Sequence, residues 1–374
     1  MAQPPNYAML PQTEKSLEFI TNHYNLYTED RKKKQLPKKP MVIGVSGCQG
    51  SGKTTLCHTL VHLLRSAPYD LNVVSFSLDD LYLTRQEQAA LTKRYPDNPL
   101  LKYRGQFGSH DLALAQKTFQ ELLSISSSSQ KQKEEDSMAL IPVYDKSLYD
   151  GLGDRCPKKE WQQVHGPIDI ILFEGWSLGF KSLSLEQLQQ IYQQSLFFME
   201  KKKMFTLTHL AIMNDFLMEY EKHIYPMIDV FLHLSPQQLD QVYQWRLQQE
   251  HHMQQTRHVK GLTDDQVRQF VDTYMPAYEL YLPQLNEYGF FGFQQQQQQD
   301  GEKFDNAKKK ISRRQPYCFE GLIRQDGGYS CNQIARHLRL VLDKDRKVLS
   351  AQFIHPCLSL ISSSSSPFDH QKDG

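Results

Sequence analysis

Lys53 and Thr54 are the residues of this sequence with the most specific chemistry. They close the run Gly47, Cys48, Gln49, Gly50, Ser51, Gly52, and Thr55 opens a helical pattern behind them. Glycines at 47, 50 and 52 are expected to take positive φ and bring backbone N–H groups close enough to wrap a phosphate chain. Lys53 supplies a point charge for the β- and γ-phosphates, and the Thr54 hydroxyl a ligand for Mg²⁺. The N-terminus of the following helix adds a field favourable to anions. The segment from Gly47 to Thr55 is therefore a candidate phosphate-binding loop.

Further candidates lie at the ends of apolar runs. Asp79, Asp80 and Tyr82 follow the run Leu71–Leu78, where open α/β sheets place their chemistry; one of the two carboxylates is equally suited to cap a helix. Glu174 closes Ile168–Phe173, a position where a carboxylate holds Mg²⁺ directly or through water. Between these, Arg104, His110 and Asp111 cluster around two glycines in an irregular stretch. Lys146 and Arg155 stand among Tyr144, Asp145 and Asp154 in a second glycine-bearing loop. Arg246 lies on a predicted helix, Gln237–Met253, with Arg257 and Lys260 just beyond it, and would suit charge neutralisation during phosphoryl transfer.

These positions need a scaffold, and the pattern supplies one. Apolar strands at Met41–Ser46, Leu71–Leu78, Ile168–Phe173, Ile228–Leu234 and finally His337–Leu342 alternate with helical stretches. Several read as continuous apolar runs, which implies a mostly parallel sheet covered on both faces. The expected fold class is α/β, a three-layer P-loop NTPase-type fold with lid helices. Residues 1–39 are expected to form a tail, an amphipathic helix (Leu17, Phe19, Ile20, Tyr24, Leu26) and a basic linker, Arg31–Lys39. Residues 40–361 would be one P-loop domain, with low-complexity inserts at about 124–137 and 293–314 and a serine-rich tail at 362–374. Asp265–Leu282 reads as one helix interrupted at Pro276.

Composition narrows the function. Lysine plus arginine (43) balances aspartate plus glutamate (42), so no global field recruits nucleic acid or an anionic membrane. Six cysteines without C-x-x-C spacing argue against a zinc site or a disulfide scaffold. No window approaches the ~20 apolar residues of a membrane span. The expectation is a cytoplasmic enzyme with the nucleus also open to it, acting on a small molecule as a monomer or weak homo-oligomer.

Taken together, these stretches resemble the P-loop D-glycerate 3-kinases of plants and their fungal kinase relatives, within the wider uridine kinase, phosphoribulokinase and pantothenate kinase group. The resemblance rests on GVSGCQGSGKTT from Gly44, SLDDLYLT from Ser77, LKYRGQFGSHD from Leu101, YDKSLYDGLGDR from Tyr144, FEGWSLGF from Phe173, VYQWRLQQE from Val242 and FVDTYMPAYELYLP from Phe270. It spans most of residues 41–285, with a weaker echo at Leu338–Arg346. It implies ATP and Mg²⁺ as cofactors and Asp79 as the base on the acceptor hydroxyl. It also implies an acceptor site holding Arg104, His110, Lys146 and Arg155, a lid carrying Arg246, and Arg346 near the adenine. Phe107 departs from the family pattern and is expected to reshape the acceptor pocket. Two alternatives stay open: another acceptor (a nucleoside, pantothenate or a sugar phosphate), or a nucleotide-binding module without turnover. Cys48, inside the loop, is expected to be shielded from alkylation by bound ATP.

Overall fold

The computed structural model describes residues 9–125, 138–257, 261–294, 329, 334–355 and 357–358. The insert at 126–137, most of the glutamine-rich insert, Lys260 and the serine-rich tail lie outside the described residues.

The chain opens with α1 (Pro11–Lys33), β1 (Met41–Gly47), α2 (Lys53–Arg65) and β2 (Val73–Ser77), then α3 (Arg85–Arg94) and α4 (Leu112–Ser124). Four short strands follow: β3 (Met138–Ile141), β4 (Tyr144–Asp145), β5 (Asp154–Arg155) and β6 (Gln162–His165). Next come β7 (Ile170–Gly175), α5 (Leu185–Gln194), α6 (Leu196–Lys201), α7 (Leu207–His223) and β8 (Val230–Pro236). The last elements are α8 (Gln241–Arg257), α9 (Asp264–Asp272), α10 (Met275–Tyr288), β9 (Phe293–Gln294), β10 (His337–Leu342), β11 (Val348–Ile354) and β12 (Cys357–Leu358).

Six strands form the central sheet in the order β11-β10-β8-β1-β7-β2, parallel except where β11 runs antiparallel to β10. The apolar runs of β1, β7 and β8 are buried along their whole length, as strands covered on both faces must be. Side chains alternate across a strand. Cys57 of α2 lies beside Ser75 on one face of β2, while Phe119 of α4 packs on Phe76 and Phe173 from the other. Layers of helix, sheet and helix follow.

Three expectations change. His337–Leu342 is a strand but not the last one: β11 pairs with it at the sheet edge, and its half-exposed side chains hide it from an apolar-run search. The stretch 265–282 is two helices, broken at Thr273 and Tyr274. Pro276 sits in the first turn of α10, where its missing N–H costs nothing, so it starts a helix rather than interrupting one. The basic linker is shorter than expected, because Arg31 is buried in the last turn of α1 and its Nε donates to the Pro37 carbonyl at 2.8 Å. No helix among the described residues is long and apolar enough to cross a membrane.

His233 of β8 is buried, and its Nδ1 has no partner among the described residues. Burial, and then the nearby Arg339, push its pKa down to about 3. Because the folded value lies below the unfolded one, the unfolded chain takes up the proton first, so stability is lost as pH falls below about 6.5. Between pH 7 and 5 this one group should remove about 2 kcal/mol. Denaturant titrations at both pH values should show His233→Gln losing that much less than wild type; equal losses would mean that His233 titrates normally.

Candidate active site

The loop after β1 is held open by close packing. Gly47 ends the strand in extended backbone, contrary to the positive φ expected there. A Cβ at Gly47 would stand 2.6 Å from Ser51 Oγ and 3.0 Å from Leu234 Cβ, so glycine is required for approach rather than for conformation. Gly50 needs both: its φ is +75°, and a Cβ would meet the Trp245 main chain at 2.8 Å. α2 then starts at Lys53 with no side chain capping its first turn, which leaves its N–H groups for a ligand.

β7 runs beside β1 with Val45 opposite Glu174 and Ser46 opposite Gly175. The Thr54 hydroxyl consequently meets the Glu174 carboxylate, donating to Oε1 at 2.8 Å or Oε2 at 3.0 Å. A hydroxyl and a carboxylate converging at a phosphate loop form a hard oxygen donor set that fits Mg²⁺, which takes few protein ligands and completes its shell with water and phosphate. No larger His/Cys/Asp/Glu cluster for a metal occurs among the described residues.

β2 flanks β7 on its other side, with Ser77 opposite Glu174, and the chain beyond it makes a short 3-10 turn, Leu78–Leu81. The two carboxylates here divide the work. Asp80 caps the turn, accepting the Ser77 N–H at 2.8 Å, and burial raises its pKa to about 6. Asp79 instead accepts Lys146 Nζ on Oδ2 at 2.5 Å and the Tyr82 hydroxyl on Oδ1 at 3.0 Å. Burial alone would raise the Asp79 pKa, but Lys146, and behind it Lys53, bring it down to about 2.

One cleft of about 2160 Å³ has Lys53, Thr54, Asp79, Tyr82, Arg104, Lys146 and Arg246 in its wall, while Glu174 is buried behind it and reaches it through Thr54. Its size exceeds the roughly 300–1,000 Å³ of a single-ligand pocket, leaving room for two substrates. Gln49 to Thr55 line it, as does Arg346, whose Nε donates to the Gly50 carbonyl at 2.6 Å. Arg246 is tethered to Glu250 at 2.8 Å and lies 5.3 Å over the Phe270 ring. Arg104 donates to the carbonyls of Gly151 and Leu152, so it also holds the loop carrying Lys146.

Other expected contact residues lie outside that wall. His110 is buried behind Tyr82, stacked on it at 4.4 Å, with Nδ1 bonded to the Tyr220 hydroxyl at 2.7 Å; burial pushes its pKa down to about 3. Asp111 caps α4 through the Leu114 N–H and pairs with Arg155 at 3.1 Å. Arg155 also donates to the Tyr82 carbonyl at 2.8 Å. These three brace Tyr82 from behind instead of facing a ligand. Phe107, expected to reshape the pocket, is buried against Tyr220 at 5.2 Å and spends its bulk in the core. Gly47 and Cys48 also lie outside the lining.

Comparison with known proteins then decides the family. The chain is 39% identical over 246 residues to the chloroplastic D-glycerate 3-kinase of Arabidopsis thaliana, a match covering 66% of this chain and 48% of that protein. It therefore spans about half the length of the plant relative. An uncharacterized kinase of Schizosaccharomyces pombe is 35% identical over 281 residues, covering 72% of this chain and 91% of the relative. The solved D-glycerate 3-kinase from Cryptococcus neoformans superposes with a TM-score of 0.71 at 32% identity, covering 91% of this chain and 98% of that one. The chain belongs to the family of these D-glycerate 3-kinases and their fungal kinase relatives. No general protein-family model matches it.

Two of the motifs that carry the resemblance support the phosphate loop. The Tyr278 hydroxyl accepts the Gln49 N–H at 3.2 Å, and Trp245 backs Gly50 while its indole donates to the Lys344 carbonyl at 2.8 Å. Aromatic residues at helical spacing carry no signal that distinguishes this role from packing. The start of α1 was also missed: Leu10, Gln12 and Thr13 line the cleft, although their stretch reads as a tail.

Cys48 corrects another expectation. It is buried beside Tyr278, and burial pushes its thiol up to about 12, so it lacks the exposure and thiolate character that alkylation needs. Iodoacetamide labelling of native protein at pH 8, read by peptide mass mapping, should modify Cys156 well before Cys48 or Cys57, with or without ATP. Rapid, ATP-sensitive labelling of Cys48 would restore the earlier view.

Proposed function

We propose that this protein is an ATP- and Mg²⁺-dependent kinase that transfers the γ-phosphoryl group to the 3-hydroxyl of D-glycerate. The observation carrying the proposal is that Lys53 of the phosphate loop shares one cleft wall with Asp79, Arg104 and Lys146. A phosphate cradle thus faces a carboxylate flanked by cations, which suits a small anionic alcohol.

Lys53 and the uncapped start of α2 hold the phosphates. Thr54 and Glu174 would hold Mg²⁺, which when bound offsets the charge of the β- and γ-oxygens. Asp79 orients the acceptor hydroxyl and takes its proton as the new O–P bond forms and the bond to ADP breaks. Arg104 suits a bidentate contact with the acceptor carboxylate, and Lys146 a point contact. Arg246 faces the space where charge gathers. The nucleoside is placed toward Arg346, which donates to the Gly50 carbonyl of the phosphate loop. The unpaired Cys48, Cys57 and Cys156 suit a reducing compartment, for which we propose the cytoplasm.

ADP release by purified protein tests the reading. D-glycerate should stimulate it far more than nucleosides, pantothenate or sugar phosphates; no stimulation by glycerate removes that acceptor, and none by any hydroxylated compound removes the kinase. Asp79→Asn should lower kcat by about 10²–10⁴-fold while leaving ATP affinity within about twofold, since the lost group acts on the proton. Normal turnover in that variant would dismiss Asp79 as the base. EDTA should stop turnover without shifting the Tm of the nucleotide-free protein, because two side-chain oxygens make an open site rather than a structural cage. A large fall in Tm would point to a structural metal instead.

A further inference from the structure

The contacts of Lys146 hold a second meaning. Both carboxylate oxygens of Asp79 are engaged, one by the Lys146 ammonium and one by the Tyr82 hydroxyl. The two partners differ in freedom. Tyr82 is buried, stacked on His110 and braced by Arg155 through its carbonyl. The Lys146 side chain is 55% exposed, on a flexible stem, and lines the cleft. Its main chain lies in the turn between β4 and β5, whose carbonyls at 146, 151 and 152 accept from Arg104. An anion arriving between Arg104 and Lys146 therefore competes directly with Asp79 for the ammonium.

We propose that Lys146 is the specificity-determining residue of the acceptor site: it holds Asp79 in an ion pair until an anionic group beside the acceptor hydroxyl draws the ammonium away. This rests on the kinase reading above. In the productive arrangement the acceptor O–H bond breaks and its proton goes to Asp79. The acceptor oxygen bonds to the γ-phosphorus, and the bond from that phosphorus to the ADP oxygen breaks. With water or an uncharged alcohol in the cleft, Lys146 stays on Asp79 and the carboxylate keeps little affinity for the proton. The other groups near Asp79 do not respond to the acceptor in this way. Lys53 of α2 is committed to phosphate, His110 ahead of α4 is buried and neutral, Tyr274 at the start of α10 is an uncharged phenol, and Asp80 caps its own turn. The acceptors selected are thus small hydroxy acids, chosen at the chemical step as well as in binding.

The test compares full-length wild type, Lys146→Met and Lys146→Arg with saturating Mg²⁺-ATP and no acceptor, glycerol or D-glycerate. Wild type should hydrolyse ATP without acceptor, and phosphorylate glycerol, about 10³-fold or more slowly than it phosphorylates glycerate. Lys146→Met should lose about 10²-fold in kcat/KM for glycerate while its acceptor-free hydrolysis and glycerol phosphorylation rise about 5–10-fold above wild type. Adding Asp79→Asn should abolish that rise, and Lys146→Arg should keep the wild-type order of rates. If Lys146→Met lowers all three rates in proportion, or the leak persists without Asp79, the proposal is overturned. Should wild type accept no hydroxy acid at all, the acceptor reading falls by itself. The acceptor-free arm still decides on Lys146: raised hydrolysis in Lys146→Met supports the restraint, and unchanged hydrolysis defeats it.

Discussion

The site depends on the parallel register of β1, β7 and β2. Glu174 lies opposite Val45 on one side and Ser77 on the other, so the phosphate loop, the Glu174 carboxylate and the turn carrying Asp79 leave the sheet at one edge. Neighbouring strands run about 4.8 Å apart. Thr54 and Glu174, 120 residues apart in the linear chain, are thereby brought within hydrogen-bonding distance. A one-residue slip of β7 would turn Glu174 to the opposite face and remove the partner of Thr54. The fully buried runs of β1 and β7 oppose such a slip, because every residue is already committed to a packed neighbour.

The loop itself is kept in shape from outside. Trp245 fills the space next to Gly50, Tyr278 accepts from the Gln49 N–H, and Arg346 donates to the Gly50 carbonyl, so residues from α8, α10 and the β10–β11 turn converge on two loop positions, Gln49 and Gly50. Such contacts fix a backbone that must present its N–H groups without reorganising when a phosphate arrives. They give the aromatic residues distant in sequence a role at the phosphate loop of this chain: each removes a freedom that the loop's own glycines introduce.

Local chemistry was the most legible part of the sequence. Gly47 to Thr55, the strand-ending Asp79 and Glu174, and the parallel strands could be read because the glycines, the helix start and the continuous apolar runs are signals within a few residues. What a side chain touches across the fold was not legible. Arg104, His110, Asp111 and Arg155 are all polar residues in glycine-bearing loops, yet Arg104 lines the cleft while the other three brace Tyr82 from behind. Nothing in type or spacing separates them, because the distinction is made by Tyr82 standing between His110 and the cleft. Asp79 and Asp80 show the same limit at closer range: adjacent, identical residues on a 3-10 turn point to different partners, one to Lys146 and one to the Ser77 N–H.

The low proton affinity of Asp79 bears on how much of the catalysis a base can supply. A carboxylate held near 2 by Lys146 is far from the neutral poise that suits a strong general base. Phosphoryl transfer through a loose transition state asks little of a base before the O–P bond to ADP has lengthened, and asks much of the positive groups around the moving phosphoryl. Under the proposed function, Lys53, Arg246 and the start of α2, all at the cleft, would meet the second demand. On the acceptor side, the first demand is met if Asp79 first orients the hydroxyl and then receives its proton late, when the transferring group has made that proton acidic. An ion pair that weakens only under an anionic acceptor is compatible with such timing, since it withholds the carboxylate from water at little cost to the transfer itself.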